Sequence, residues 1–141
     1  MKIRTLAVAL TAAFATAAPA HATPTVLVSF AVSAGTYAPT GAACPLVVDE
    51  GADGVAVLDA AVAAHCIVSY RVQTFPGFGT FVSCLDEVCG SALTGTTGTY
   101  WNMYENGVST AYGADGFSAA AGDELGFAYQ AYCFEALCPS V

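Results

Sequence analysis

The chain has 141 residues, with 3 Lys and Arg against 11 Asp and Glu, a formal charge of −8, and 56% hydrophobic residues. So acidic a chain has almost no means of releasing counterions from phosphates, which excludes nucleic acid and anionic membrane surfaces as partners. Its length suits one domain that buries about two-thirds of its unfolded surface, so a real hydrophobic core is within reach.

The N-terminus has the order of an export signal. Lys2 and Arg4 are followed by an uncharged apolar run from Leu6 to about Ala18, and then by Ala20-His21-Ala22. Small side chains at the last and third-last positions suit a signal peptidase pocket, and an apolar run of roughly 13 residues is too short to span a bilayer. Cleavage is expected after Ala22, giving a signal peptide over 1–22 and a single domain over 23–141. Loss of Lys2 and Arg4 would move the formal charge from −8 to −10 and leave Arg71 as the lone Lys or Arg. The expected location is periplasmic or secreted.

All six cysteines follow the signal: Cys44, Cys66, Cys84, Cys89, Cys133 and Cys138. An even count in an oxidising compartment implies three disulfides, and without a C-x-x-C pair a metal site is the weaker reading. CLDEVC and CFEALC share one spacing and would each close a short loop. This predicts Cys84 with Cys89, Cys133 with Cys138, and by elimination Cys44 with Cys66.

In chain order, Val26, Val28, Phe30 and Val32 alternate with their neighbours and predict a first strand over 24–33. The Gly, Thr, Ala and Pro mixture of 35–45 predicts a loop. Val55, Leu58, Ala61 and Val62 recur at helical intervals, so a helix is expected over roughly 54–65 with Asp53 as its N-cap. IVSYRVQTF alternates again and predicts a second strand, with Arg71 facing water. Pro76 to Gly79 forms a turn before a third strand, TFVSC, which reverses at Leu85 to Val88. The stretch 90–98 is small and polar, a surface loop. TYWNMYENGVSTAYG places Asn106-Gly107 between β-prone runs, a strong hairpin signal. Gly122-Asp123 marks a further turn, and Leu125, Phe127 and Tyr129 alternate into a closing strand. One helix among about six strands predicts an α+β domain.

No catalytic constellation stands out. His65 is the one histidine beyond the signal and adjoins Cys66, which is expected to be oxidised, so no nucleophile and base pair forms. The acids group as Asp49, Glu50 and Asp53, as Asp86 and Glu87, and as Asp123 and Glu124, all in expected loops or turns. DEGADG lacks the alternating acids of a calcium loop. Aromatic residues are the more distinctive resource. On the strand through Trp101, the pair Trp101 and Met103 should face the core. Tyr100, Asn102 and Tyr104 then share an amphipathic face suited to a ring or sugar, and Tyr112 could join from the partner strand.

The run YWNMYENG (Tyr100 to Gly107), the following GADGF (Gly113 to Phe117) and AGDELGFAY (Ala121 to Tyr129) resemble the C-terminal β-domain of transcobalamin and intrinsic factor, including related small exported bacterial domains. The helix VAVLDAAVAA (Val55 to Ala64) sits where that family places its one helix, so the resemblance spans about Val26 to Tyr129. It departs at Cys84 to Cys89, where the family commonly carries an Asn-Gly hairpin, and no counterpart of the larger helical-barrel domain of the vitamin carriers lies within the chain. The resemblance implies a β-grasp-like mixed sheet packed on one short helix, stapled by disulfides. It also implies a binding module without catalysis, which takes a corrinoid-like or other ring-containing small ligand and has no resident cofactor. Two other readings stay open: a structural domain that contacts another exported protein through a sheet edge or loop, and a small secreted hydrolase that uses loop acids.

Overall fold

The computed structural model describes residues 22–34, 43–91 and 97–133. Its framework is a pairing of the two ends of that span. Strand β1 (Thr25–Ala34) runs parallel to β8 (Glu124–Cys133), with Phe30 opposite Leu125 and Val32 opposite Phe127. Antiparallel neighbours flank this pair: β2 (Cys44–Asp49) on β1, and β6 (Thr97–Glu105) on β8, with the two-residue β7 (Val108–Ser109) beyond β6. The order β2-β1-β8-β6-β7, with a parallel pair between antiparallel ones, is β-grasp-like.

The helix α1 (Gly54–Ala63) begins where the Asp53 carboxylate accepts the Ala56 N–H at 2.8 Å, as the N-cap expectation required. It buries Val57, Leu58 and Ala61, with Val55 and Val62 partly covered. The facing side of the sheet supplies Val28, Phe30, Leu46, Leu125 and Phe127, and the rings of Phe30 and Phe127 lie 6.1 Å apart.

His65 ends the helix in the left-handed region at φ 59°, with its N–H on the Val62 carbonyl and the Cys66 N–H on that of Ala61. That double bond pattern is a Schellman cap, a place where glycine is usual and histidine only tolerated. Disulfide Cys44–Cys66 then ties the helix exit to β2, with Cα atoms 6.0 Å apart.

Two expectations change. The strands do not form one sheet of about six: among the described residues eight strands make two sheets, and the hairpin of β3 (Tyr70–Phe75) and β4 (Gly79–Leu85), with the short β5 (Val88–Cys89), stands apart as the second. In addition, the predicted loop over 35–45 overlaps β2, which starts at Cys44. Pro45 hid this strand from a propensity reading, yet β2 is an edge strand, where a missing N–H is tolerated.

The second strand starts at Tyr70 rather than Ile67, and Val68, just ahead of it, is 82% exposed. Arg71 is exposed as expected, and its guanidinium lies 3.0 Å from Cys89 Sγ. Cys84 and Cys89 are directly opposed in β4 and β5 and bonded, with Cα atoms 4.0 Å apart. The expected bond between Cys133 and Cys138 lies outside the described residues, as does nearly all of the expected signal peptide.

Two expected outcomes test these local devices. His65→Gly should raise stability by about 1 kcal/mol by removing the Cβ cost of the left-handed conformation, read as a higher urea midpoint with unchanged m-value. Tyr70 donates to Asp59 Oδ1 at 2.6 Å, and burial first, then that bond, push its pKa up to about 12 from 10.0. The folded state therefore holds this proton after the unfolded chain has lost it. Its contribution is complete below pH 10 and is lost as pH rises toward 12. Tyr70→Phe should flatten the stability profile across that window in alkaline denaturation.

Candidate functional site

Among the described residues, β6 is paired along its whole length on one side only. From Thr97 to Glu105 every residue faces β8, whereas β7 covers just Tyr104 and Glu105 on the other edge. The Asn106-Gly107 turn has φ of 50° and 78°, the positive pair that a tight hairpin needs, so the hairpin signal holds. After Ser109 the chain leaves the sheet. Tyr112 therefore stands on the connection beyond β7 and not on a partner strand, contrary to expectation.

A cleft of about 640 Å³ opens along the uncovered edge. Tyr100, Trp101, Asn102 and Met103 all line it, and consecutive residues of a strand can share a cleft only at the strand's edge. Across from them stand Phe81 and Val82 of β4, and residues 109–114 close the far side. Gly113 permits that closure, because a Cβ there would overlap the Thr80 backbone. Asp115 holds the same corner by accepting the Thr80 N–H at 2.8 Å. A second, smaller hollow of about 130 Å³ lies toward Ser91 and Thr99 and shares Phe81, Val82, Tyr100 and Trp101 with the first.

Among the described residues, the lining carries no charge. Trp101 and Met103 are buried, 7% and 6% exposed, as expected of the core face. The Trp101 indole donates to the Val88 carbonyl at 2.9 Å and lies 5.2 Å from the Tyr129 ring, which fixes the tryptophan between the two sheets.

On the opposite face a polar chain links four residues. Asn102 Nδ2 donates to Ser109 Oγ at 3.0 Å and to Gln130 Oε1 at 3.2 Å, and Gln130 Nε2 donates to the Tyr104 hydroxyl at 2.6 Å. Burial, followed by the neighbouring Tyr104, raises the Tyr100 pKa. Tyr112 donates to Glu105, and that bond, followed by burial, raises its own.

Of the four residues expected to form a site, Tyr100, Asn102 and Tyr112 meet in the cleft. Tyr104 shares the outer face with Tyr100 and Asn102 but is not part of the cleft lining; it stands at the far end of the polar chain. The sequence reading missed Phe81, Val82 and Ala114, which arrive from a strand and a turn remote along the chain. No periodicity signals that meeting.

Three of the seven suspected acids have structural roles outside the cleft. Asp53 caps α1, Asp86 accepts the Val68 and Ser69 N–H groups, and Asp123 accepts from Ala120 N–H and Asn106 Nδ2.

The sequence matches no family model and no curated protein. Among solved structures, the chain resembles haptocorrin in complex with Cbi, with a TM-score of 0.62 and 17% identity over 79% of this chain. The similarity is one of fold. It covers 26% of the haptocorrin chain, so this protein spans about a quarter of that length. A candidate metal-binding protein from Ruminococcus gnavus ATCC 29149 aligns with a TM-score of 0.44 and 13% identity over 74% of this chain and 94% of its own, too distant to carry an argument.

Trp101→Phe should lower stability by about 2 kcal/mol, because it leaves the Val88 carbonyl without its donor and a void beside Tyr129. Tyr100→Phe, which keeps the ring, should cost less than about 1 kcal/mol. Urea unfolding of both variants checks the ranking, and a larger loss at Tyr100 would contradict it.

Proposed function

We propose that this protein is an exported, non-enzymatic binding module that takes a neutral, ring-bearing small ligand into the cleft along β6. The observation that carries this reading is the uncharged, aromatic slot of about 640 Å³ at an open strand edge. Concave sites with apolar walls and a few fixed polar groups are the usual form of a small-ligand pocket. Tyr100 and Tyr112 supply ring faces for stacking, and Asn102 supplies an amide already oriented by Ser109 and Gln130.

A corrinoid is the first candidate ligand, since haptocorrin, whose fold this chain shares in part, is seen in complex with Cbi. Export rests on the Lys2 to Ala22 pattern and on the disulfides Cys44–Cys66 and Cys84–Cys89, which persist in oxidising compartments. The non-enzymatic reading is supported by a cleft lined with no ionisable acid or base other than tyrosine, while His65 serves as a helix cap.

Protein recovered after export, with an N-terminus at Thr23, should quench its Trp101 fluorescence when titrated with a corrinoid and with a panel of neutral aromatic compounds. Tyr112→Ala should weaken the compound that binds by about fivefold, in line with loss of one stacking contact of about 1 kcal/mol. Saturation without any change at Trp101, or a Tyr112→Ala affinity equal to that of the unaltered protein, would refute the cleft as the site.

A further inference from the structure

The open edge of β6 shows main-chain groups as well as side chains. Along an antiparallel strand, successive residues direct their N–H and C=O to alternate sides. Thr99 N–H reaches Ser91 Oγ at 2.7 Å, and Met103 C=O accepts the Thr110 N–H at 3.0 Å, so the odd-numbered residues point away from β8. Trp101 lies midway between these contacts and faces the same way. Among the described residues, its N–H and C=O have no hydrogen-bond partner. Ser91 and Thr110 thus close the two ends of an interval that spans roughly four residue rises, about 13 Å.

From this geometry we infer that the cleft accepts a short extended peptide, which adds as a strand to β6 and exchanges both main-chain hydrogen bonds with Trp101. Strand addition is the recurrent use of an exposed sheet edge, with the main chain supplying affinity and alternate side chains supplying selectivity. The residue opposite Trp101 places its side chain on the apolar side, among Met103, Phe81 and Phe127. Its two neighbours turn to the other face, beside Tyr100, Asn102 and Tyr112.

Charge narrows the partner further. No charged side chain lines the slot, and the chain bears 11 acidic residues, so the peptide is apolar at its centre, with an aromatic or large aliphatic residue there, and neutral or basic at its ends. The inference rests on the cleft being the binding site and goes beyond the neutral ring-bearing ligand to a peptide occupant.

The test changes the peptide and leaves the protein intact. A pool of acetylated, amidated pentapeptides, Lys-X-Phe-X-Lys with X as Val, Leu, Thr or Tyr, is titrated into the exported protein while amide signals are followed by NMR. The Trp101 amide should shift, and its exchange with solvent should slow at least tenfold. The tightest member, re-made with an N-methyl on the central Phe, should bind at least tenfold more weakly, because the donor to the Trp101 carbonyl is gone.

Equal affinity of the methylated peptide, or binding that leaves the Trp101 amide unchanged, would overturn strand addition. Slow exchange at Trp101 in the free monomer would overturn it too, since the edge would then be occupied already, and protection that grows with protein concentration would assign the edge to a second copy. Should aromatic compounds quench Trp101 while no peptide alters its amide, the inference falls and the cleft reading stands; if neither acts, both fall.

Discussion

The parallel pairing of β1 with β8 joins residues near the two ends of the described chain, and every other element is placed by it. Because Phe30 and Val32 must oppose Leu125 and Phe127, the intervening segments fold back on one side of that pair or beyond its flanks. Helix α1 covers the apolar face, β2 and β6 extend the sheet, and the β3 to β5 hairpin is left to form a sheet of its own. Contacts of such long sequence separation have to overcome the entropy of closing large loops, and local devices reduce what remains to be ordered. The Asp53 cap, the His65 terminus and the Cys44–Cys66 bond all act on the segment that joins β2 to α1 and its exit.

The cleft follows from a shortage of pairing. β8 satisfies one side of β6, but β7 stops after two residues, so the middle of β6 keeps an open edge beside β4. A long uncovered edge invites aggregation, and natural sheets shorten or shield such edges. Here Ser91 and Thr110 shorten it from both ends, while Phe81 and the 109–114 connection wall it in. Trp101 links this arrangement to stability, for its indole joins the two sheets through Val88 while its backbone looks into the slot. Binding and cohesion therefore meet in one residue.

Much of the local structure was legible. The Asp53 cap, the Asn106-Gly107 hairpin, the burial of Trp101 and Met103 and the pairing Cys84–Cys89 follow from signals of short range: cap chemistry, positive φ, period two and spacing; Cys44–Cys66 came by elimination. The failures have physical causes as well. Pro45 masked β2 because propensity ignores whether a strand lies at an edge. The alternation from Ile67 to Phe75 set the start of the second strand three residues too early, since an alternating pattern cannot say where pairing begins. Tyr112 was assigned to a strand because no residue after Ser109 signals that pairing ends there.

The sequence by itself determined the acidity, the Cys84–Cys89 pairing, the helix α1 and the face of β6 that enters the core, because each depends on composition or on neighbours a few residues away. Only the tertiary structure decided that Tyr100, Asn102 and Tyr112 share a cleft while Tyr104 stands outside its lining, and that Phe81 and Val82 form the opposite wall. Those meetings depend on how far β7 runs and on where the second sheet docks, and both are settled by packing between segments remote in the chain.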